Sequence, residues 1–328
     1  MLTLNPDAAY VVGMQITNTF TECVLLDFTG KLKSSLKLPL RVKTPSANTW
    51  ITQIESAFLK NIENINLRRE QVAAIGIITP DILEDKNGGL SQASFFQMDK
   101  QKLQHLFQQY FKITTICESG PIAAAMTYMW DNPKEKVKNL IVITLDNSVG
   151  MVVIADGQLF CGRHTLCGGF GHTVVVPGGL SCRCGKKGCI EAYIGESSLI
   201  KAAQREYPGG EWQDRSFEEL GIKDLIDLAQ NQNVALKNIF HRAGAILGLA
   251  ISGWIQFFSP DKVIISGKIT QIGNIFFLPL QKALKLYIDE ILLTRTEITI
   301  PTWQPDTKAQ GAALLALTNT YEELSSEK

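Results

Sequence analysis

The chain has 328 residues, 45% hydrophobic and 20% charged, enough for two domains with substantial apolar cores. Lysine plus arginine and aspartate plus glutamate stand at 32 each, a formal net charge of +0. That balance excludes a protein that grips nucleic-acid backbones by global charge, leaving room only for a local basic patch.

Residues 10–16, 20–28 and 31–40 read as antiparallel strands, with Gly30 in a turn. Residues 47–64 carry Trp50, Ile51, Ile54, Phe58 and Ile62 at helical spacing. A buried strand at 72–78 ends at Thr79-Pro80-Asp81, and Asn87-Gly88-Gly89 signals a turn. A helix over 103–110, a strand over 113–117 and a helix over 121–130, with Pro121 in its first turn, follow. Strands return at 139–145 and 151–155, with Asp156-Gly157 as a hairpin turn. The cysteine-rich loop at 161–189 leads into a helix near Glu191. Residues 234–258 form a long apolar helix in which Gly244, Gly248 and Gly253 admit close approach of another element. A buried strand at 262–266 and a final helix from about Gln310 complete an α/β pattern.

The start, residues 1–7, lacks the basic residues and apolar run of a signal peptide. No uninterrupted apolar stretch reaches the roughly 20 residues of a membrane span; residues 243–258 come nearest. Seven cysteines in a chain of this size do not suggest a secreted disulfide scaffold. The expectation is a cytoplasmic protein without membrane association.

The most informative stretch runs from Gly171-His172 to Cys182-Arg-Cys184-Gly-Lys-Lys-Gly188-Cys189-Ile-Glu191. Cysteines one residue apart meet one metal when the backbone turns tightly, and Gly185 and Gly188 give that freedom. His172 completes a Cys₃His tetrahedron, a closed structural zinc set that leaves no open position for catalysis. Thiolate and imidazole suit zinc, whereas magnesium and calcium want oxygen. Cys23 and Cys117 fall in strands and read as buried thiols, while Cys161 and Cys167 lie outside the ligand spacing.

Gly-His, nine residues, then Cys-x-Cys-Gly-x-x-Gly-Cys-x-Glu resembles the signature of the ROK family (repressors, open reading frames, kinases). Ser259-Pro-Asp-Lys-Val-Ile-Ile-Ser-Gly267 and Ala309-Gln-Gly-Ala-Ala-Leu-Leu-Ala316 extend the resemblance over almost the whole chain. It implies an actin-like ATPase fold of two RNase-H-like α/β domains around a central cleft. The implied domains are residues 1–119 joined by the helix 310–328, and residues 120–309 with the zinc loop. It also implies a homodimer or higher homo-oligomer, an idea the apolar helix at 243–258 fits.

The resemblance further implies positions for phosphoryl-transfer chemistry, and most are changed. Where the kinases' first phosphate loop reads Asp-x-Gly-Gly-Thr, this chain has Gln15, Ile16, Thr17, Asn18 and Thr19. The second loop, usually Gly-Thr-Gly-x-Gly, is Asp146-Asn-Ser-Val-Gly150, with a negative side chain where a γ-phosphate would lie. Gly120, in Glu118-Ser119-Gly120-Pro121, occupies the family's catalytic aspartate position, so no catalytic residue is assigned. The Glu-x-Gly-His sugar element appears as Gly169-Phe-Gly-His172, and the Asn-Leu sugar loop has no counterpart around Ser94-Phe95-Phe96. His172 and Glu191 match the family's sugar contacts. An acidic residue opening a helix also suits the helix dipole without any ligand. ATP and magnesium are not expected.

The leading expectation is a non-catalytic sugar sensor of the NagC and XylR type, the effector domain of a transcriptional regulator binding a sugar or sugar phosphate. No recognition helix is identifiable, so DNA binding by this chain alone is not expected. The alternatives are an ATP-dependent hexose kinase with unusual loops and an interaction scaffold that binds neither nucleotide nor sugar.

Overall fold

In a computed structural model of the chain the residues described are 3–17, 20–39, 47–78, 100–135, 137–160, 169–207, 221–231, 233–302, 304 and 307–326. They fall into two units, Met1–Lys134 with Gln304–Lys328, and Glu135–Trp303. The first unit opens with β1 (Tyr10–Ile16), β2 (Phe20–Asp27) and β3 (Leu32–Pro39). It continues through α1 (Ala47–Glu63), β4 (Val72–Ile78), α2 (Lys100–Phe111), β5 (Thr114–Glu118) and α3 (Gly120–Asp131). The sheet order is β3-β2-β1-β4-β5, antiparallel across the first three strands and parallel from β1 onward. β1 is apolar and buried along nearly its whole length, as a central strand covered on both faces must be. One of its faces packs Val12 and Met14 with Ile54 and Phe58 of α1 and Phe107 and Phe111 of α2. At the sheet edge β3 is largely exposed, and lysines such as Lys33 and Lys37 discourage pairing with a stray strand.

The second unit repeats the plan. Its strands β6 (Leu140–Leu145), β7 (Val149–Ala155) and β8 (Gln158–Phe160) precede α4 (Glu191–Ile194), α5 (Glu196–Glu206), α6 (Ile222–Gln230) and α7 (Val234–Phe258). β9 (Lys262–Ser266), α8 (Asn274–Tyr287), α9 (Glu290–Arg295) and β10 (Glu297–Thr299) follow. The order β8-β7-β6-β9-β10 has the same pattern of antiparallel and parallel neighbours as the first sheet. By length and composition α7 could cross a membrane, yet it is the core helix of this unit, packed on α4, α5, α6 and α8. A Cβ added to Gly244 would lie 2.1 Å from the carbonyl oxygen of Phe276, and one added to Gly248 2.7 Å from that of Leu280. These two glycines are where α8 approaches; Gly253 has nothing within 4 Å and serves no such contact.

The closing helix α10 (Thr307–Ser326) returns to the first unit and covers the other face of its sheet. The approach is backbone to backbone: a Cβ on Gly13 would sit 1.9 Å from the carbonyl oxygen of Ala309, and one on Gly76 1.8 Å from that of Ala312. Gly311 stands equally close to the carbonyl of Ala123, binding α3 to α10. That contact corrects the expected domain boundary. The division falls after Lys134, because α3 buries its alanines against α10 and so belongs to the first unit. Two further expectations shift: β7 begins at Val149, and the final helix begins at Thr307. The expected turns at Thr79-Pro80-Asp81 and Asn87-Gly88-Gly89 lie outside the described residues.

Because Gly76 has no room for a side chain, Gly76→Val is expected to push α10 from the sheet and lower stability by about 3 kcal/mol. Urea unfolding monitored by circular dichroism checks this, with Gly253→Ala as the comparison expected to cost little.

Candidate functional site

A short 3-10 turn, Gly169–His172, presents His172, and the loop that follows folds back on itself before α4. The fold-back is held by main-chain hydrogen bonds: Val175 N–H to Gly188 O (2.9 Å), Gly188 N–H to Leu180 O (2.8 Å) and Cys182 N–H to Lys186 O (2.8 Å). Gly185 and Gly188 adopt φ of 84° and 83°, the left-handed region that the tight turn requires. Gly188 also sits against the carbonyl of Val176, where a Cβ would lie 1.7 Å from the oxygen.

The result gathers the four expected ligands. One atom from each of His172, Cys182, Cys184 and Cys189 lies within 4.8 Å of the others, so the group could hold a metal ion. Cys182 Sγ is 3.5 Å from His172 Nδ1, and Cys184 Sγ is 3.7 Å from Cys189 Sγ. Burial above all pushes the Cys189 thiol up to about 12, and burial likewise raises Cys182. Burial also acts upward on Cys184, but the Lys186 N–H, the neighbouring cysteines and the Lys186 charge outweigh it and hold this thiol low. A cation would be needed to keep three thiolates together here. Cys23 and Cys117 are buried thiols, each pushed up to about 12 by burial, and neither belongs to the cluster. Cys161 and Cys167 lie outside the described residues.

Glu191, the first residue of α4, is only 4% exposed. A carboxylate so buried must be paired, and its partner is Arg183, which stands between two of the cysteines. Arg183 Nε donates to Glu191 Oε1 at 2.5 Å and Nη2 to Oε2 at 3.3 Å; the N–H of Val149 donates to Oε2 at 3.3 Å. The pair therefore fastens the cysteine loop to the start of β7. Sequence reading did not single out Arg183, although its position between two ligand cysteines was the available signal.

Residues at the positions that the resemblance assigns to phosphate are engaged within the protein. Asp146 Oδ1 accepts the N–H of Lys268 at 2.9 Å, and its carbonyl accepts the N–H of Glu196 at 3.1 Å. Lys268 Nζ in turn lies 3.6 Å from the Glu196 carboxylate. Burial first, and the Asp146 charge further, push the Glu196 carboxyl above its ordinary value against the pull of Lys268. In the first unit, Thr17 Oγ1 both accepts from Phe20 N–H (3.0 Å) and donates to Phe20 O (2.9 Å), closing the β1–β2 turn. Asn18 and Thr19, and Ser94 to Phe96, lie outside the described residues. Gly120 opens α3 in the first unit, and Lys308 of α10 lies over it, a neighbour that sequence reading missed.

With this geometry established, comparison with known proteins places the chain. The ROK family pattern matches residues 11–319. A glucokinase of Halalkalibacterium halodurans is 23% identical over 325 residues, 97% of each chain. The DNA-binding transcriptional dual regulator NagC of Escherichia coli K12 is 21% identical over 294 residues, 88% of this chain and 72% of that protein. Among solved structures, a ROK glucokinase from Streptomyces griseus, in complex with glucose and AMPPNP, superposes with a TM-score of 0.78 at 22% identity. It covers 94% of this chain and 100% of its own. An α/β fold of the actin-like type, a Cys₃His loop and a match over nearly the whole length lead to one conclusion: the chain belongs to the ROK family.

Proposed function

We propose that the chain is a non-catalytic sugar-sensing protein, the effector domain of a transcriptional regulator, that binds a sugar or sugar phosphate. The observation that carries this reading is Asp146. At the position the family resemblance gives to a phosphate, its carboxylate accepts the Lys268 N–H, so an internal anion takes the place of a nucleotide oxygen. Gly120, at the position of the aspartate that would serve as base, has no side chain to accept a proton. Both phosphoryl donor and base are thus unprovided for, and ATP and magnesium have no part in this reading. The full-length similarity to a glucokinase favours a second reading, an ATP-dependent hexose kinase.

We assign the sugar to His172 and Glu191. The carboxylate is held by Arg183, so a sugar hydroxyl reaching Glu191 would share or replace an existing hydrogen bond. The metal of the loop we assign as zinc in a structural role. Tetrahedral zinc with Zn–S near 2.3 Å and Zn–N near 2.0–2.1 Å sets S···S and S···N edges of roughly 3.8 and 3.6 Å. The 3.7 Å and 3.5 Å separations here support that ion. Four protein ligands would leave it no open position, and it would keep Cys182 and Cys184 fixed on either side of Arg183.

A cytoplasmic homo-oligomer completes the proposal. Phe257, 82% exposed on α7, is in ring contact with Phe258, which also touches Trp254 and exposed Phe160. This aromatic patch suits a second copy of the chain.

Three outcomes are expected. Incubation of the purified chain with ATP, magnesium and a hexose panel yields no sugar phosphate; sustained turnover, absent from a mock purification, would establish the kinase instead. In a thermal-shift series without nucleotide, at least one sugar or sugar phosphate stabilises the protein, whereas a silent panel would leave only a scaffold. Metal analysis finds about one zinc per chain, and Cys189→Ser both loses it and lowers the melting temperature by roughly 5–10 °C.

A further inference from the structure

The three cysteines of the loop are not equally reachable. Cys189 is fully buried and Cys182 nearly so, whereas Cys184 is half-buried. It stands at the outer turn of the loop, between exposed Arg183 and the exposed run Gly185, Lys186 and Lys187. A thiolate partly open to water and flanked by cations is the kind that oxidants attack. Cys189 Sγ lies 3.7 Å from Cys184 Sγ, while Cys182 Sγ stands against His172 Nδ1 at 3.5 Å.

The turn between Cys184 and Cys189 suits a bond between them. Gly185 and Gly188, at φ of 84° and 83°, reverse the chain and let the two sulfurs meet. Closing 3.7 Å to the roughly 2 Å of a disulfide is within reach of side-chain rotation. Cys182 and Cys184, one residue apart, would close a far tighter ring. Cys184 and Cys189 are also half of the ligand set, so a bond between them would leave only His172 and Cys182 to an ion.

We propose that Cys184 is a peroxide-reactive thiol which, with Cys189, makes the loop a redox switch acting on Glu191. In the first step the Cys184 thiolate attacks a hydroperoxide; the O–O bond breaks, Cys184 becomes a sulfenic acid and hydroxide leaves. In the second the Cys189 thiolate attacks that sulfur; the S–O bond breaks, the disulfide forms and a second hydroxide leaves. Two thiolates have then passed two electrons to one peroxide. The oxidised loop offers two ligands in place of four and releases its ion. Arg183, between Cys182 and Cys184, is then no longer held in place against Glu191. That carboxylate, only 4% exposed, loses its ion-pair partner, and the contact between the loop, α4 and β7 loosens. The proposal rests on the metal reading of the loop given above and gives that site a regulation; it requires no sugar.

Hydrogen peroxide applied to the zinc-loaded full chain tests this. Zinc release is followed with a chromogenic chelator, thiol pairing by peptide mass mapping without reduction, and local opening by amide hydrogen exchange. Oxidation is expected to free the zinc and to link Cys184 to Cys189 while buried Cys23 and Cys117 stay reduced. Exchange at the Val149 amide, which donates to Glu191, is expected to quicken by about tenfold. Dithiothreitol with added zinc restores the starting state. Stripping zinc with a chelator under reducing conditions gives the same fast exchange with no disulfide, and Arg183→Met gives it with zinc and thiols intact. Should Arg183→Met unfold, as circular dichroism would reveal, the chelator experiment decides. Zinc retained while methionines are oxidised, a cysteine pairing other than Cys184 with Cys189, or irreversible oxidation of Cys184 overturns the switch. Unchanged Val149 exchange after zinc release overturns its action on Glu191. A purified chain without zinc overturns the metal reading instead, and the disulfide map then decides the thiol chemistry by itself.

Discussion

A carboxylate nearly sealed from water has to be compensated, and Glu191 is compensated by the loop that carries the Cys₃His cluster. Arg183 reaches it from between Cys182 and Cys184, and the Val149 N–H reaches it from β7. Removing any of these would leave a buried charge without its partner, a larger penalty than loss of an exposed ion pair. The cysteine loop is thereby fastened to the start of β7 in the second unit. The dependence runs both ways. A disordered loop would withdraw Arg183, and α4 begins at the residue that would then be left unpaired.

The two units share one strand plan, yet the positions that the resemblance assigns to phosphoryl transfer are occupied differently. In the second unit an acid, Asp146, accepts the amide of Lys268. In the first, a cation, Lys308, lies over Gly120. Simple decay of a site tends to leave cavities and orphaned polar atoms. Here two buried oxygens beside these positions, the Ser119 hydroxyl and Glu196 Oε2, have no hydrogen-bond partner among the described residues.

The cysteine loop was legible in the sequence because coordination demands particular side chains at particular spacings, and left-handed turns demand glycine. The long strands and α7 were legible because burial on both faces writes continuous apolar runs. What escaped depended on partners distant in sequence. Nothing around Lys308 announces Gly120, and the alanines of α3 read as a generic helix until Gly311 is seen beneath them. That contact is also why the expected boundary at 119/120 moved to follow Lys134. β8 and β10, three residues each and largely exposed or half-buried, bear no periodic signature. Arg183 read as loop filler because its role comes from a carboxylate that only folding brings within reach.

The helix that completes the first sheet is encoded after the whole of the second unit. During synthesis the ribosome releases β1 to α3 long before Thr307–Ser326, so Val11, Val24, Leu26 and Ala74 wait without the residues that cover them. The second unit, contiguous in sequence, has no such wait. The order of maturation is therefore opposite to the order of translation: the segment made first becomes native last. In that interval the uncovered strand face is the nascent protein's most exposed liability to misassociation, and the glycines that later seat α10 also leave it little side-chain protection.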